Sequence, residues 1–540
     1  MAGEGTEAAG AVTGGAAVVR ALAAHGVRQV FGIPGTHNLE IYRHLPAHGI
    51  GHLTPRHEQG AGYAADAYAR LTGRAGVAVT TTGPALLNIA AAVGQAYSDG
   101  VPLLVVSPGM PLRHPVLPTG LLHEMRSQTE ALRGVAAFSH RVSSVAEVGA
   151  AVARAFTLFG GARPRPAHLE VPLDLLEAAE PAGPQVTAPP QAPVRPGADA
   201  LARAARTLAA AGRPALVLGG GARGAAAEVR ALAERLDAPV VTTANGKGVL
   251  AETHPLSLGV SLHSPAVRAW LAERDAVLAV GTELAEADTW VDRLALDGTL
   301  IRADSDPAQM YAGAPADIPL VGDARLTVPA LREAVTGPRT GVGEAHKGVA
   351  GLRAERDAET AERDARWLPY LRVLRAELAE DAVLTSDSAQ CCYYGALPHL
   401  PLGPEGRLLH PTGFGTLGYA LPAAVGAKAA EPARQVVALS GDGGLQFSVQ
   451  ELAAAAALRL PLPVVVFDNG GYGEIRDGMR ARGDVPTAVD LPPVDLPALA
   501  RAYGGGGTRV SGTAEFAHAL RTALGSPGPT IIVVPEEDPA

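Results

Sequence analysis

The stretch that decides the fold is residues 435–473, QVVALSGDGGLQFSVQELAAAAALRLPLPVVVFDNGGYG. Two apolar runs of strand length, 435–440 and 463–469, each end at a glycine-rich turn, with helical patterning between them. Apolar strands that alternate with helices indicate a parallel sheet covered on both faces. In such a sheet Asp442 and Asn469 fall at the carboxyl ends of neighbouring strands, where α/β folds bind ligands.

The two turns carry the groups that a magnesium ion and a phosphate need. A carboxylate, an amide oxygen and a nearby backbone carbonyl are hard ligands, suited to Mg²⁺ held together with phosphate oxygens. The glycines allow backbone N–H groups and the start of the predicted helix 446–457 to approach a phosphate closely. The alternative interpretation is two ordinary strand-end turns, and the pairing of Asp442 with Asn469 favours the binding site.

The same alternation continues through the rest of the chain. Two linkers divide it into three blocks: a proline-rich segment at 181–197, and 337–366, whose charged end predicts a solvated helix at 353–366. The further strand-length apolar runs are 29–31, 77–80 and 103–107 in the first block, 215–219, 238–242, 276–281 and 300–304 in the second, and 382–385 and 530–534 in the third. We therefore predict an α/β protein of three doubly wound parallel-sheet domains at 12–180, 198–336 and 367–540.

Composition excludes several functional classes. The 540 residues carry 45 Lys+Arg and 54 Asp+Glu, a formal net charge of −9, with no basic run, which argues against a nucleic-acid partner. The apolar runs are too short to span a bilayer, so no membrane partner is expected. The two cysteines, Cys391 and Cys392, are adjacent and cannot form a disulfide framework. Together with the lack of a basic leader at the N-terminus, this predicts a cytoplasmic protein.

Residues 441–473 resemble the cofactor motif of the thiamine-diphosphate (ThDP) enzymes, which is GDG followed one helix later by Asn-Asn. Asp468 stands where the family has its first Asn, and Asn469 keeps the second. The resemblance implies a Mg²⁺ ion bound by the side-chain oxygens of Asp442 and Asn469 and by the carbonyl oxygen of Gly471.

A second resemblance lies near the N-terminus. Residues 31–35, FGIPG, and 56–59, RHEQ, are similar to the start of the pyrimidine-binding domain of the same family. This similarity implies that Glu58 shares a proton with a ring nitrogen of the cofactor. Read alone, a Glu at a helix start is most often a capping residue.

Residues 413–418, GFGTLG, are similar to the family's GxGTMG segment. This match implies that the Gly415 carbonyl accepts a hydrogen bond from the cofactor's amino group and that Leu417 lies between its two rings. Across nearly the whole chain, the resemblance implies the domain order pyrimidine-binding, central and diphosphate-binding.

Carried over position by position, the resemblance implies a set of cofactor-binding residues. They are Pro34, Glu58, Gly83, Ser388, Gln390, Gly415, Leu417, Gly443, Gly444, Asn469, Gly471 and Tyr472. The candidate catalytic residues are Glu58, His123 and Glu474. His123 falls where pyruvate-type decarboxylases place loop histidines, which implies a proton relay; the alternative interpretation is a surface histidine.

Three segments indicate a branch of the family. Residues 54–62, 121–128 and 471–476 look most like those of 5-guanidino-2-oxopentanoate (2-ketoarginine) decarboxylases. The implied function is the ThDP- and Mg²⁺-dependent, non-oxidative decarboxylation of a 2-oxo acid to an aldehyde and CO₂. A guanidinium substrate requires a pocket carboxylate, for which Glu474 and Glu124 are candidates; a solvated residue at a helix start is the alternative for Glu474.

Other functions stay open beside this one. An acetolactate synthase-like carboligase that joins two 2-oxo acids is the alternative within the family. A nucleotide-binding protein without catalysis is the alternative from another class, and the intact Glu58, Asp442 and Asn469 argue against it. Residues 219–224, GGGARG, superficially resemble a dinucleotide fingerprint, so FAD is considered for the central domain but not favoured. The family also implies a homodimer or homotetramer with active sites at the subunit interface.

Overall fold

The computed structural model describes residues 11–114, 118–181, 184–336 and 345–536. The chain forms two compact units. Unit 1 comprises Met1–Gln191 with two later segments, Pro422–Pro432 and Gln450–Ala455, and unit 2 comprises the remainder. Within the described ranges, no helix is both long enough and apolar enough to cross a membrane.

Unit 1 contains a six-stranded sheet in which every neighbouring pair is parallel. Its spatial order is Gly51–Leu53, Gln29–Gly32, Gly76–Val79, Leu103–Gly109, Ala167–Pro172 and Phe138–Arg141. The central strands Gly76–Val79 and Leu103–Gly109 are buried along their whole length, as expected for a sheet covered on both faces. A separate antiparallel ribbon pairs Ala11–Thr13 with Ala179–Pro181.

The helices of unit 1 connect and cover these strands. The α-helices are Gly14–Ala24, Leu39–Tyr42, Glu58–Thr72, Pro84–Asp99, Gln128–Arg133, Val148–Gly161 and Leu173–Glu177, with 3-10 turns at Pro46–His48 and Val145–Glu147. Local sequence sets their ends: Thr13 Oγ1 accepts from the N–H of Ala16 at the first helix, and Gly73 ends Glu58–Thr72 in a left-handed conformation.

Unit 2 contains two further six-stranded parallel sheets. The order in the central sheet is Ser257–Val260, Val240–Thr242, Pro214–Leu218, Ala276–Val280, Thr299–Asp304 and Ile318–Val321. The order in the C-terminal sheet is Arg407–Leu409, Val383–Ser386, Val436–Gly441, Leu462–Asp468, Pro529–Pro535 and Gly506–Arg509. The three parallel sheets with their helices confirm the predicted fold class.

The helices that follow residue 197 are mostly short. Two of them, Ala420–Ala430 and Leu452–Ala457, lie largely in the later segments of unit 1. The α-helices are Ala198–Ala210, Ala226–Leu236, Pro265–Ala272, Glu286–Thr289, Ala324–Ala334, Ala345–Glu359, Ala361–Asp364, Leu368–Glu377, Leu397–His399, Ala420–Ala430, Asp442–Leu445, Leu452–Ala457, Gly473–Ala481, Leu496–Ala502 and Thr513–Gly525. Gly220–Ala225, Pro307–Met310 and Val449–Glu451 are 3-10 turns, and Cys391–Ala396 is π-helical. Cys391 and Cys392 are free thiols, both buried.

One local prediction was wrong. The helix expected at 446–457 begins only at Leu452, after the short helix Asp442–Leu445 and a 3-10 turn. The charged run 353–366 is helical within Ala345–Glu359 and Ala361–Asp364, and most of its residues are exposed, as predicted. Two of its charged residues are held against the protein: Arg353 donates to the carbonyl oxygens of His254 and Ser257 at 2.6 Å, and Asp364 is 1% exposed.

Candidate active site

Asp442 lies directly after the buried strand Val436–Gly441, at the start of a short helix. It is 6% exposed, and its Oδ1 accepts from the backbone N–H of Asn469 at 3.3 Å. Burial, and secondarily the charge of Asp468, raises the pKa of Asp442 to about 6. A cation bound against this carboxylate would favour its charged form.

The side-chain amide of Asn469 meets two oxygen atoms beside Asp442. One end of the amide lies 3.0 Å from the carbonyl oxygen of Gly471 and 3.3 Å from Asp442 Oδ1. Without a bound cation its NH₂ group donates to both oxygens, whereas a cation among them would turn the amide oxygen inward. The described residues hold no metal-binding group of three or more His, Cys, Asp or Glu, so a cation here needs this mixed oxygen set. These are the ligands that the sequence predicts, and they suit a hard divalent cation.

The glycines of the 441–444 turn let the backbone pass close to these groups. A Cβ added at Gly443 would lie 3.1 Å from the Gly471 carbonyl oxygen and 3.1 Å from the Tyr472 ring. A Cβ at Gly444 would lie 3.3 Å from the carboxyl carbon of Asp387. A side chain at either position would have to push these neighbours aside, so this close approach depends on glycine.

Asp387 is a buried carboxylate that the sequence analysis missed. It accepts hydrogen bonds from the N–H groups of Ser388 and Gly418 and from the Ser440 hydroxyl, at 2.9 to 3.1 Å. Asp387 therefore joins the turn 413–418 to the strand that precedes Asp442. Burial raises its pKa to about 6. Its position immediately after the strand Val383–Ser386 matches that of Asp442 after Val436–Gly441, a signal that could have identified it.

The turn 413–418 adopts a conformation that requires glycine. Gly415 and Gly418 have φ values of 62° and 82°, and Gly415 is exposed while Leu417 is half-buried. A Cβ at Gly418 would lie 2.7 Å from Cβ of Phe447. The Gly415 carbonyl and the Leu417 side chain therefore stand on a turn held by close packing.

Glu474 is exposed at the start of the helix Gly473–Ala481, and its carboxylate is also hydrogen-bonded. Its carboxylate accepts from Gln390 Nε2 and from the Tyr394 hydroxyl, both at 3.0 Å. Gln390 Nε2 also donates to Asp477 at 2.9 Å, so two carboxylates on the helix Gly473–Ala481 share one amide. Tyr472, just before this helix, donates its N–H to the Val489 carbonyl.

In unit 1, Glu58 opens the helix Glu58–Thr72. The helix is capped by His57 Nδ1, which accepts from the N–H of Gln59, and Glu58 accepts from Asn88 Nδ2 at 2.9 Å. Glu451, from the later segment, accepts from the N–H groups of Arg56 and His57 at 3.0 to 3.1 Å. Sequence analysis missed this contact, which holds the chain immediately before Glu58.

Glu451 is buried against the same helix. It is 1% exposed, and a Cβ at Gly60 would lie 2.5 Å from its Oε1. Burial raises the pKa of Glu451 to about 7, with Glu58 adding to the effect. The small residue at position 60 is therefore needed to admit the carboxylate.

The loop that carries His123 packs against Gly83. Gly83 has a φ of 60° and donates its N–H to Gln128 Oε1 at 2.6 Å, and a Cβ there would lie 2.5 Å from the His123 carbonyl oxygen. His123 Nδ1 lies 3.1 Å from Thr82 Oγ1, which also lies 2.6 Å from Nδ1 of His37. Sequence analysis did not single out His37 or the hydroxyl of Thr82.

Glu124 is occupied within its own loop. It accepts from the N–H groups of Thr119, Gly120 and Leu121 and contacts His114 Nε2. These bonds, led by that from Thr119, lower its pKa. Of the two carboxylates predicted to receive a guanidinium, Glu124 is thus hydrogen-bonded to backbone N–H groups of its own loop.

Pro34 lies exposed in the loop after the strand Gln29–Gly32.

Parallel sheets whose strands end in a glycine turn beside carboxylate, amide and carbonyl groups are typical of cofactor-dependent α/β enzymes. Models of the thiamine pyrophosphate enzymes match along this chain: the N-terminal TPP binding domain over residues 12–131, the central domain over 201–331, and the C-terminal TPP binding domain over 390–534. The chain belongs to the thiamine pyrophosphate enzyme family.

Curated relatives cover nearly the whole chain. It is 43% identical over 524 residues to the probable 2-ketoarginine decarboxylase AruI of Pseudomonas aeruginosa, covering 96% of this chain and 93% of that protein. It is 33% identical over 547 residues to the acetolactate synthase large subunit of Parasynechococcus marenigrum, covering 97% and 87%. It is 32% identical over 529 residues to the acetolactate synthase isozyme 2 large subunit of Escherichia coli, covering 96% and 94%. The family resemblance seen in the sequence is confirmed.

Proposed function

We propose that this protein is a Mg²⁺-dependent ThDP enzyme that decarboxylates a 2-oxo acid, without oxidation, to an aldehyde and CO₂. The observation that carries the proposal is that the Asp442 carboxylate, the Asn469 amide and the Gly471 carbonyl meet beside the closely packed glycine turn at 441–444. The family membership and the 43% identity to a probable 2-ketoarginine decarboxylase support the same class of enzyme.

The residues present fit the cofactor. Asp442, Asn469 and Gly471 would hold Mg²⁺, and Gly443 and Gly444, which carry no side chain, would let the backbone approach the diphosphate. The other residues assigned to cofactor binding are Pro34, Glu58, Gly83, Ser388, Gln390, Gly415, Leu417 and Tyr472. ThDP, when bound, supplies a nucleophilic carbon and an electron sink for decarboxylation.

The protein's own groups would orient the cofactor and manage protons. Glu58, held by Asn88 on one side and by the anchored backbone of Arg56 and His57 on the other, would hold the proton facing the pyrimidine nitrogen. Asp387 fixes the turn that presents the Gly415 carbonyl. The overall reaction, R–CO–COO⁻ + H⁺ → R–CHO + CO₂, consumes one proton.

We further propose that the substrate is a cationic 2-oxo acid such as 5-guanidino-2-oxopentanoate. A guanidinium pairs best with a carboxylate whose oxygens are already oriented, and Gln390 and Tyr394 orient those of Glu474. Asp477 adds a second negative charge beside it. The acetolactate synthase relatives make an acetolactate synthase-like carboligation the second candidate.

The assembly proposed is a homodimer or homotetramer whose active sites lie at subunit interfaces, and the location proposed is the cytoplasm. Support for the assembly comes from the membership of the ThDP family. The central domain is proposed to act without FAD. Analytical ultracentrifugation of the purified protein tests the assembly, and its visible absorption spectrum tests for FAD.

The deciding experiment is a screen of CO₂ release across 2-oxo acids with ThDP and Mg²⁺, run beside Glu58→Gln. We expect release from 5-guanidino-2-oxopentanoate to exceed that from pyruvate, and Glu58→Gln to lose it. Glu474→Gln should raise KM for the cationic substrate far more than for an uncharged one. Acetolactate formed from pyruvate would favour the carboligase, and no CO₂ release from any 2-oxo acid would overturn the proposal.

A further inference from the structure

We propose that His37, Thr82 and His123 form a proton relay in unit 1, in which His37 stores the proton that His123 delivers. The inference rests on the proposed function, because decarboxylation to an aldehyde places one new proton on the former carbonyl carbon. His37 and Thr82 act through His123, so they are positioning residues that set its proton.

The geometry places one hydroxyl between two imidazoles. Thr82 Oγ1 lies 2.6 Å from His37 Nδ1 and 3.1 Å from His123 Nδ1, and the two rings meet edge to face with centroids 5.4 Å apart. Thr82 is fully buried, whereas both histidines are half-buried. Over the described ranges, Thr82 Oγ1 has no other hydrogen-bond partner, so its chemistry belongs to this pair.

A hydroxyl between two ring nitrogens couples their protonation. It has one proton to donate, so it donates to one Nδ1 and accepts from the other. When His37 is protonated on both nitrogens, its Nδ1–H donates to Thr82, and Thr82 donates to His123 Nδ1. The neutral His123 is then forced to carry its proton on Nε2. A neutral His37 with a bare Nδ1 removes that constraint.

The transfer is balanced by three proton shifts and no electron transfer. His123 Nε2–H gives its proton to the substrate carbon, and the Thr82 proton moves to His123 Nδ1. The His37 Nδ1 proton then moves to Thr82 Oγ1, which leaves His37 neutral. Solvent returns one proton to the His37–Thr82–His123 set before the next turnover, matching the one proton that each turnover consumes.

The backbone is built to hold this arrangement. His123 has a φ of 62°, in the left-handed region that non-glycine residues seldom adopt, and Gly83 beside Thr82 lacks the Cβ that would meet the His123 carbonyl. On the other side, the buried Asn38 bridges its own loop, donating to the Ile33 carbonyl at 3.0 Å and accepting from the N–H of Gly35 at 2.8 Å. Both histidines are thus presented by braced loops.

The charges around His37 suit a proton store that releases its proton. Burial lowers the pKa of His37, the neighbouring His123 lowers it further, and Glu177 opposes the shift. His123 and Glu177 are the titratable groups that act on His37. The net shift is downward, so a protonated His37 gives up its proton readily to Thr82.

The first test needs no substrate. The holoenzyme is labelled with ¹³C-histidine, the His37 and His123 signals are assigned with His37→Asn and His123→Asn, and both are followed by NMR from pH 5 to 8. In the wild type and in Thr82→Ser, we expect the signal of each histidine to change with the protonation of both His37 and His123. In Thr82→Val, each signal should follow only its own protonation. Unchanged titrations in Thr82→Val would overturn the relay, whether or not a substrate is known.

The second test uses the 2-oxo acid turned over fastest in the CO₂ screen. Because general acid–base groups contribute about 10²- to 10⁴-fold, we expect His37→Asn and Thr82→Val each to lower kcat by about 10- to 100-fold with little change in KM. The double variant should be no slower than the slower single variant, since the three groups act as one path. Thr82→Ser should restore the rate.

If the kcat losses of His37→Asn and Thr82→Val multiply in the double variant, or if only KM changes, the relay is overturned. Either result would leave the decarboxylase assignment intact. Conversely, a wild-type enzyme that releases no CO₂ would overturn the proposed function, and the titration experiment would still decide whether the hydroxyl couples the two histidines. Thermal melting of each variant separates loss of the relay from loss of the fold.

Discussion

Two glycine-rich turns follow buried parallel strands in unit 2, and they use their glycines differently. After the strand Pro214–Leu218, a Cβ at Gly219 would overlap the carbonyl of Gly281, and one at Gly221 would lie 2.8 Å from Cα of Gly281. After the strand Val436–Gly441, a Cβ at Gly443 meets nothing closer than 3.1 Å. Both turns are closely packed, but a Cβ in the first would overlap backbone, whereas a Cβ in the second needs its neighbours to shift by only a few tenths of an ångström.

The difference teaches that a glycine pattern alone does not distinguish close packing from ligand binding. What separates the turns is the polar chemistry at the neighbouring strand end. Beside the 441–444 turn, the Asn469 amide faces two oxygen atoms, Asp442 Oδ1 and the Gly471 carbonyl oxygen. Beside the 219–221 turn, the Thr282 hydroxyl accepts from the N–H of Leu284 at 3.0 Å. Close backbone packing accounts for the glycines at 219 and 221.

The largest expected effect is at the oxygen set. Asp442→Ala removes the carboxylate proposed to bind Mg²⁺, and we expect Mg²⁺ affinity to fall by about 100-fold, with loss of CO₂ release at ordinary Mg²⁺ concentrations. Calorimetric Mg²⁺ titration in the presence of ThDP measures the change. The matched control is Asn245→Ala at the central turn, where a Cβ at Gly220 would lie 3.2 Å from the Asn245 Cβ; it should leave the affinity within about twofold. Wild-type Mg²⁺ dependence in Asp442→Ala would contradict the comparison.

The next effect is on stability alone. Gly219→Ala forces a Cβ into the Gly281 backbone, and we expect it to cost about 3 kcal/mol of unfolding free energy because backbone cannot move aside as a flexible side chain can. Chemical denaturation provides the measurement. The folded fraction should bind ThDP as the wild type does; a stable variant with impaired cofactor binding would reverse the roles of the two turns.

A third test uses the buried carboxylate of Asp387, which accepts from the N–H of Gly418 in the 413–418 turn. Because burial raises the pKa of Asp387 to about 6, the folded state holds this proton more tightly than the unfolded state, where the pKa is about 4. The stability it contributes is present below pH 4 and is lost as pH rises through 6, by about 3 kcal/mol at most. In cofactor-free protein, Asp387→Asn should lose less stability than the wild type between pH 4 and 7.5. Equal slopes would show that the carboxyl titrates normally.

The smallest effect is expected at the 441–444 turn itself. Gly443→Ala should raise the Kd of ThDP about tenfold, equivalent to about 1.4 kcal/mol, because its Cβ would displace the Gly471 carbonyl oxygen and the Tyr472 ring. Stability should fall by about 1 kcal/mol, less than for Gly219→Ala, because contacts at 3.1 Å need a smaller adjustment than an overlap with backbone. Fluorescence titration with ThDP, beside a thermal melt, compares the two quantities. A large loss of stability with unchanged affinity would place this glycine in the same class as Gly219.

Much of the fold and of the metal site could be predicted because the signals are local. The apolar runs 435–440 and 463–469 lie within one residue of the strands Val436–Gly441 and Leu462–Asp468. Once these are parallel neighbours, the turns that follow them must meet at one edge of the sheet. The roles of individual residues within the cofactor site stay predictions.

The contacts that were missed join residues far apart in the chain. Glu451 meets Arg56 across 395 positions, and His37 meets Thr82 across 45. Periodicity predicts that a segment is helical or extended, but not which polar tip reaches a distant backbone N–H or hydroxyl. The broken helix at 446–457 has a related cause, because Glu451 turns inward to accept from the distant N–H groups of Arg56 and His57.

Unit 1 is discontinuous, and this has a consequence for biosynthesis. Glu451 satisfies the N–H groups before the Glu58 helix, and Gly426 packs so tightly on that helix that a Cβ there would overlap Ala64. The ribosome completes residues 1–191 long before it reaches 450–455. The amino-terminal unit therefore emerges with this helix uncovered and finishes folding only when translation is nearly complete. Cutting the gene at the proline-rich linker would not yield a self-sufficient fragment.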